Sequence, residues 1–337
     1  MRTVPFTSSI RLRHQGMAPP DPSSAASPPG STDRLPPRDL ALLVILGVIW
    51  GSAFAVIRFG LLAGAAPLAF GVGRFSLAAV LMAALALARR EPLPSGRTLA
   101  LSALLGGGLF IGAYAAFLYI GEQQVSAGYA SILIAGLPLW SVAFSYPLLP
   151  HDRVGAGASA GLVLGFLGVV VLFLPDLLAG VAGHTLAAVS VLVAGLFGAL
   201  GSTAVRKWVG GPSGSWGLTV EFVAATALLG AFALAVPGET ALPATWAVWG
   251  SLLYLAAVAS VGGYTIYFYL LHRGGPTRAN LVAYINPVSA VLLGVAFLAE
   301  SVTLAEIAGL LLIASGVFLV QREGRARARQ AAAARNS

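Results

Sequence analysis

Long apolar runs, separated by short polar or proline-containing stretches, dominate the chain between residues 40 and 320. Ten runs reach roughly twenty residues, the length at which a helix rising 1.5 Å per residue crosses about 30 Å of hydrocarbon. The predicted spans are 40–61, 67–88, 99–120, 126–148, 155–174, 185–205, 216–236, 246–271, 277–298 and 303–320. The pattern therefore predicts an all-α integral membrane protein with ten transmembrane helices.

Two polar tails flank the apolar region. Residues 1–39 are rich in Pro, Ser and Ala, which predicts a disordered tail, and residues 321–337 form an Arg-rich tail directly after the last run. Of the 337 residues, 58% are hydrophobic and only 9% are charged, whereas about 25% of the residues in a soluble domain carry charge. This composition excludes an ordinary soluble protein.

The distribution of charge predicts how the helices are oriented. Lys and Arg number 20 against 12 Asp and Glu, but they do not share one surface, so no nucleic-acid partner is expected. If the first tail is cytoplasmic, every cation except Arg58 and Arg74 falls on the inner side. The outer loops then hold no Lys or Arg but hold the acidic residues Glu122, Asp176, Glu239, Glu300 and Glu306. The positive-inside rule predicts a multi-pass protein of the inner membrane with both termini cytoplasmic.

The second half of the chain repeats the first at a shift of 147–150 residues. YAAFLY from Tyr114 returns as YTIYFY from Tyr264, and Arg74 aligns with Glu221. Each copy, 40–174 and 185–320, holds five predicted spans, and an odd number inverts the second copy in the membrane. Inverted repeats are typical of secondary transporters, whose site lies near the midplane between the copies. A duplicated bundle with only a structural or sensing role is the other interpretation.

Several segments together resemble one known family. They are WGSAFAVIRFG in the first span, a Pro followed seven residues later by Arg in the second, the step from Ala130 to Pro138 that recurs from Ala279 to Pro287, and the closing LAESVTLAEIAGLLLIASGVFL. This order resembles the EamA family of drug/metabolite transporters over residues 40–320. One departure is His151-Asp152, where the family usually has Gly-Glu.

The resemblance implies a fold and a range of activities. It implies ten helices around a central cavity and, for many members, the export of amino acids, metabolites or cationic compounds, often coupled to protons. Related members of the superfamily also suggest a lipid or nucleotide-sugar carrier.

The residues predicted to line the cavity are of three kinds. Mid-span prolines free a backbone carbonyl four residues earlier, and in a membrane such a group must face protein or water; these prolines are Pro138 and Pro287. Aromatic residues away from the membrane interface suit a cavity wall; they are Trp50, Tyr114, Phe197, Tyr264 and Tyr267. Small polar residues could line the same path, although they also join helices; they are Ser52, Ser131, Asn280 and Asn286.

Two charged residues lie well inside predicted spans. Charges at such depth are costly and usually face a cavity or a partner, so Arg74 is a candidate for the substrate cavity. Glu221 is the only carboxylate placed within the hydrocarbon layer. Because removal from water favours the protonated carboxyl group, Glu221 is the candidate for proton coupling. Arg58 lies nearer its helix end, where extension to the membrane surface is expected.

Signals for an enzyme are weak. The chain has no Cys, and its four His residues form no HExxH motif. The triple glycine at Gly106 is not followed by the Lys-Ser/Thr of a phosphate-binding loop. The sequence therefore predicts no enzymatic activity, cofactor or metal site. It favours a gradient-driven secondary transporter that exports small organic solutes by alternating access, with possible partners limited to solute, protons and lipid.

Overall fold

The computed structural model describes residues 36–125, 127–149, 155–172, 174, 185–210, 214–289 and 304–335, and this part of the chain contains helices and no strand. The helices are α1 (Pro37–Leu62), α2 (Pro67–Ala88), α3 (Gly96–Glu122), α4 (Ala127–Ile134), α5 (Leu137–Leu148), α6 (Ala156–Leu172), α7 (Thr185–Val209), α8 (Gly214–Ala235), α9 (Trp246–Ala279), α10 (282–289) and α11 (Leu304–Arg335).

Seven segments of the described chain are long and apolar enough to cross a membrane: α1, α2, α3, Ala130–Leu148, α7, α8 and α9. Shorter apolar helices cover Ala156–Val171 and Ile307–Val320. The prediction of an all-helical membrane protein is therefore confirmed. The count of ten spans stays a prediction, because the predicted span 277–298 continues into residues outside the described part. Most of the first tail, 1–39, also lies outside the described part. The Arg-rich end differs from the predicted tail in that α11 continues as a helix to Arg335.

Proline divides one predicted span, and glycine bends a helix between two others. The span 126–148 is interrupted after Ile134, and Pro138 lies in the first turn of α5. A proline has no N–H to donate to the carbonyl four residues earlier, so the helix cannot run through this point unbroken. Near its end, α9 bends at Gly275, whose φ of 77° lies in the left-handed region that favours glycine.

Wide helical turns occur at equivalent positions of the two halves. The first π-helical segment, Ser102–Ala113, lies in α3, and the second, Leu255–Gly262, lies in α9. They overlap at the repeat shift of 150 residues and end one residue before Tyr114 and two residues before Tyr264, respectively. Since π-helical turns often mark functional sites, both segments draw attention to the space that they border.

Helix contacts also occur in pairs related by the repeat. Helix α2 packs against its counterpart α8, and α6 packs along α11. The π segment of α3 contacts α8, whereas the π segment of α9 contacts α2. Glycines allow the closest approach, because a Cβ added at Gly161 would lie 2.7 Å from the carbonyl oxygen of Gly316. The repeated pairings are those expected when two copies of one helical unit are related by an approximate two-fold axis.

Candidate transport site

A central cavity lies between the two sequence copies. Both copies contribute to its wall, which comprises Trp50, Ala53, Phe54, Ile57, Arg74, Phe75, Phe110, Tyr114, Ala115, Leu118, Tyr119, Ile134, Leu137, Tyr264, Asn280, Val282, Ala283 and Asn286. The centre of a water-sized sphere can occupy about 50 Å³ of this cavity, which is room for about three to five waters, since one water needs about 10–15 Å³ on this measure. The wall is mainly apolar and aromatic, with few polar groups.

Trp50 joins the first copy to the second across the cavity. Its indole Nε1 donates a hydrogen bond to the carbonyl oxygen of Ala259 at 3.0 Å. The ring stacks on Tyr267, with centroids 5.2 Å apart, and meets the edge of Tyr264 at 5.3 Å. A Cβ at Gly263 would overlap the indole nitrogen, so a glycine at that position permits the close approach. Trp50 is thus held on several sides by α9.

Arg74 is the one charged residue among those that line the cavity. Its side chain reaches from α2 and is only 6% exposed. Nε donates to Ser260 Oγ at 2.9 Å, and Nη1 donates to the hydroxyl of Tyr119 at 2.7 Å. Both partners are neutral, and no salt bridge joins Arg74 to an acidic residue in the described chain. The guanidinium is therefore oriented by neutral groups, and Glu122 acts on it only electrostatically, without a hydrogen bond.

Asn280 is the centre of a buried hydrogen-bond network beside the cavity. The Tyr267 hydroxyl donates to Asn280 Oδ1 at 2.6 Å. The amide Nδ2 donates to Ser141 Oγ at 2.6 Å and to Ser202 Oγ at 3.1 Å. The network ties α5, α7 and α9 together, so much of the hydrogen-bonding capacity of Asn280 is used within the protein. Sequence reasoning missed Ser141, although its place one turn after Pro138 was a usable signal.

The structure brings six of the predicted residues into the cavity wall: Trp50, Arg74, Tyr114, Tyr264, Asn280 and Asn286. Tyr267 lies directly behind Trp50, and the two prolines are buried near the wall. Ile134 and Ala283, whose carbonyls the prolines were predicted to free, are themselves lining residues.

Three predicted residues lie elsewhere. Ser52 hydrogen-bonds with the hydroxyl of Tyr254 at 2.7 Å, Phe197 stacks on Phe117 at 5.5 Å, and Ser131 is buried without lining the cavity. Serine and phenylalanine are common on every face of a membrane helix, so residue type alone could not tell a cavity-facing position from a packed one.

A second, larger cavity opens near the cationic helix ends, and we call it the vestibule. Its volume, measured in the same way, is about 460 Å³, and its wall comprises Met82, Leu85, Arg89, Glu91, Val205, Gly214, Ser215, Leu218, Glu221, Thr265, Phe268, Tyr269, His272 and Arg273. Phe268 lines the vestibule and meets Phe110 and Tyr264 of the central cavity at 5.7 and 6.4 Å. An aromatic layer thus separates the two cavities.

Glu221 faces the vestibule rather than the central cavity. It is 1% exposed, and its Oε2 has no hydrogen-bond partner in the described chain. A Cβ at Gly106 would overlap the carboxyl group, and a Cβ at Gly107 would overlap the backbone of Glu221. Gly106 and Gly107 therefore have a packing function: they let α8 place a carboxyl group against the π segment of α3.

The structure corrects the sequence interpretation of Glu122 and Arg58. Glu122 is not a loop residue but lies in the last turn of α3, fully buried, with neither carboxylate oxygen hydrogen-bonded in the described part. Arg58 does not extend to the membrane surface, since Nη1 donates to the backbone carbonyls of Glu122 and Val125 at 2.8 and 2.5 Å. Glu122 stands eight residues after Tyr114, a spacing that is compatible with both residues lying in one helix.

Two carboxylates cap helices of the opposite copy, and we call them the paired caps. Glu91, in the loop after α2, accepts bonds from the backbone nitrogen and the hydroxyl of Ser215 in the first turn of α8, both at 2.7 Å. Glu239, in the loop after α8, accepts a 3.0 Å bond from the backbone nitrogen of Leu68 in the first turn of α2. Glu91 and Glu239 are 148 residues apart, so one contact is the repeat of the other.

The bonds that Ser215 donates hold the pKa of the Glu91 carboxyl group below its ordinary value. A carboxylate at a helix N-terminus also interacts favourably with the helix dipole. At neutral pH Glu91 is therefore a charged cap of α8.

A duplicated bundle of apolar helices, with charged and polar groups buried between its two copies, defines a membrane transporter. The model of the EamA-like transporter family matches residues 39–174 and 182–322. The chain belongs to that family and contains two EamA-like repeats. The resemblance inferred from the sequence is thus confirmed.

Similar proteins include the Uncharacterized inner membrane transporter YedA of Escherichia coli K12, which is 31% identical over 280 residues, or 82% of this chain and 89% of that protein. The Probable terminal-alkyne amino-acid exporter of Streptantibioticus cattleyicolor is 31% identical over 303 residues, or 86% of this chain and 95% of that protein. A solved structure described only as "Crystal structure of protein" has a TM-score of 0.66 at 18% identity and covers 88% of this chain and 99% of its own. The last likeness supports the fold alone.

Proposed function

We propose that the chain is a secondary active exporter of small organic solutes that works by alternating access and is coupled to protons. The observation that carries the proposal is the central cavity, which both repeats line and in which Arg74 is buried and forms no salt bridge within the described chain. A buried charge is expensive in a membrane protein and usually marks a substrate or ion path. The name of the Streptantibioticus relative, an amino-acid exporter, agrees with a small organic solute.

The two repeats supply the means of alternating access. Two similar packings of one five-helix motif, 40–174 and 185–320, can exchange roles with little difference in free energy. We place the vestibule on the cytoplasmic side, because Arg89 and Arg273 lie on its wall and the positive-inside rule assigns such residues inward. Both tails, 1–39 and 321–337, then lie in the cytoplasm. A solute would enter from the vestibule and pass the aromatic layer into the central cavity.

Glu221 is the proposed proton carrier. It lies at the vestibule, is buried, and keeps one carboxylate oxygen without a hydrogen bond in the described chain. Protonation of Glu221 would change the contact between α8 and α3, since the carboxyl group packs directly on Gly106. A carrier at this place exchanges protons with the side from which the solute enters.

Purified protein in liposomes tests the proposal. Efflux of a panel of small solutes is measured with and without a proton gradient, for the wild type, Glu221→Gln and the control Glu323→Gln. Glu323 hydrogen-bonds the backbone nitrogen of Ala158 and lines neither cavity. We expect gradient-driven flux that varies between pH 6 and 8, loses that variation in Glu221→Gln and keeps it in Glu323→Gln.

Two results would contradict the proposal. Dependence on pH that survives Glu221→Gln removes Glu221 from coupling. No flux for any solute, or flux restricted to lipids or nucleotide sugars, would favour the structural or carrier interpretations instead.

A further inference from the structure

Three hydrogen-bond donors of the central cavity are left unused by the protein. The two bonds of Arg74 involve Nε and Nη1, and neither involves Nη2. The hydroxyls of Tyr114 and Tyr264 make no hydrogen bond to any residue in the described part of the chain, although both side chains line the cavity. The Arg74 side chain lines the same cavity. The unused donors therefore border one space.

The other polar groups of the wall do not compete for a ligand in the same way. Trp50 Nε1 is bonded to Ala259, and both Asn280 donor bonds go to serines. The lining residues include no Asp or Glu. Glu122, which is not a lining residue, interacts electrostatically with Arg74, but its carboxylate oxygens accept no hydrogen bond in the described chain. The cavity thus offers a positive charge and free O–H and N–H groups, with no anion bonded to them.

We infer that the central cavity binds the carboxylate of a small apolar monocarboxylic solute, with Arg74 as the anchor and the Tyr114 and Tyr264 hydroxyls as further donors. This inference rests on the proposed function, because it names the chemical class of the exported solute. A planar guanidinium matches a carboxylate in geometry and charge. Binding would also bring an anion into direct contact with Arg74, which forms no salt bridge within the described chain.

The remaining wall defines the rest of the solute. Ala53, Ile57, Leu118 and Val282 are apolar, and the accessible volume of about 50 Å³ corresponds to about three to five waters. A short aliphatic chain fits such a space, whereas a second charged group would be buried against hydrocarbon. A purely cationic solute would approach the guanidinium of Arg74 with no acidic side chain of the wall to hold it. The site therefore excludes the cationic compounds that the family resemblance allowed.

Three compounds with one carbon skeleton test the inference by binding to the purified protein in detergent. Leucine carries a carboxylate and an ammonium group, 4-methylpentanoate carries only the carboxylate, and 3-methylbutylamine carries only the ammonium group. Affinity is measured by calorimetry at pH 7, together with the shift of the unfolding temperature. We expect 4-methylpentanoate to bind most tightly and leucine more weakly, because its ammonium group would be buried against an apolar wall. The amine should bind at least about tenfold more weakly than 4-methylpentanoate, the loss expected when a charged hydrogen-bond partner is removed.

Variants assign the effect to the proposed donors. Arg74→Gln should weaken 4-methylpentanoate at least about tenfold, and Arg74→Lys should restore part of the affinity because the charge returns without the planar fork. Tyr264→Phe and Tyr114→Phe should each weaken it about two- to tenfold. Tyr284→Phe is the matched control, since its hydroxyl donates to the carbonyl of Leu162 outside the cavity, and its affinity should equal that of the wild type.

Each other outcome overturns the inference. It fails if the amine binds as well as the acids, if neither acid binds, or if Arg74→Gln keeps its affinity while its unfolding temperature shows that it folds. If Arg74→Gln does not fold, an unchanged affinity in both Tyr264→Phe and Arg74→Lys overturns it equally. Binding in detergent requires no transport, so a protein that binds the acids but moves no solute in liposomes contradicts the proposed function and not this inference.

Discussion

The paired caps should act in opposite directions on the conformational equilibrium of the transporter. Glu91 ties the start of α8 to the first copy at the vestibule end, and Glu239 ties the start of α2 to the second copy at the other end. Replacing Glu91 by Ala should favour opening toward the vestibule, whereas replacing Glu239 by Ala should favour opening away from it. Each variant is the matched control of the other.

The magnitude follows from the bonds that are lost. Glu91 forms two bonds of 2.7 Å from its carboxylate, and its side chain is 25% exposed, so solvent weakens them. A helix cap of this kind contributes about 1–2 kcal/mol, which corresponds to a shift of about 5–30-fold in the equilibrium. Glu239 forms one such bond, for which about 0.5–1.5 kcal/mol is expected. The bond from Trp216 Nε1 to the backbone carbonyl of Glu91 survives in Glu91→Ala.

Labelling of a single introduced cysteine measures the shift. The chain contains no Cys, so the thiol of Ala115→Cys is the only one that the reagent can modify. Ala115 is buried in the wall of the central cavity. A membrane-impermeant thiol reagent is applied to each side of oriented vesicles. Glu91→Ala should speed modification from the vestibule side and Glu239→Ala from the other side. If the two variants are modified at equal rates, or if both change the rate from the same side, the caps do not control opening and have only a structural role.

The dependence of the Glu91 cap on pH provides a second check. Because the folded-state pKa of Glu91 is lowered from 4.5, the cap contributes its full stabilisation above that ordinary value and loses it as the pH falls through the lowered one. The effect of Glu91→Ala should therefore be constant between pH 6 and 8. A change within that range would contradict the assignment of the charge.

Three substitutions, one of them with a matched control, test the packing around the site, and each is followed by thermal unfolding in detergent. Gly107→Ala should destabilise the protein by about 1–3 kcal/mol, because the new Cβ overlaps the backbone of α8. The control is Gly108→Ala, whose Cβ would meet only a carbonyl oxygen at 3.6 Å, and it should change stability by less than about 1 kcal/mol. Equal effects of the two substitutions would disprove the close contact. Asn280→Leu should cost about 1–3 kcal/mol by removing the three buried hydrogen bonds of Asn280, and an unchanged unfolding temperature would contradict that network. Gly316→Ala should cost about 1–3 kcal/mol by separating α6 from α11, and a neutral effect would argue against their contact.

The central cavity illustrates how far residue type leads without a structure. Arg74 and Trp50 were predicted from their depth in apolar spans, and both line the central cavity. For Arg74 the reason is that a charge deep in a membrane is costly and usually faces a cavity or a partner. Ser52 and Phe197 were chosen on similar grounds but face other helices. Depth can be counted along the chain, whereas the direction in which a side chain points depends on which helix packs beside it.

The sequence by itself determined the membrane class, the approximate positions of the spans and the duplication, because hydropathy and repeat shifts are properties of the linear chain. Only the tertiary structure decided that Glu122 is buried, that Glu221 faces the vestibule and that the central cavity keeps unused donors. It also decided the paired caps, whose bonds join residues 124 and 171 positions apart. Such contacts form between helices that are distant in the chain, and no local pattern encodes which of them will meet.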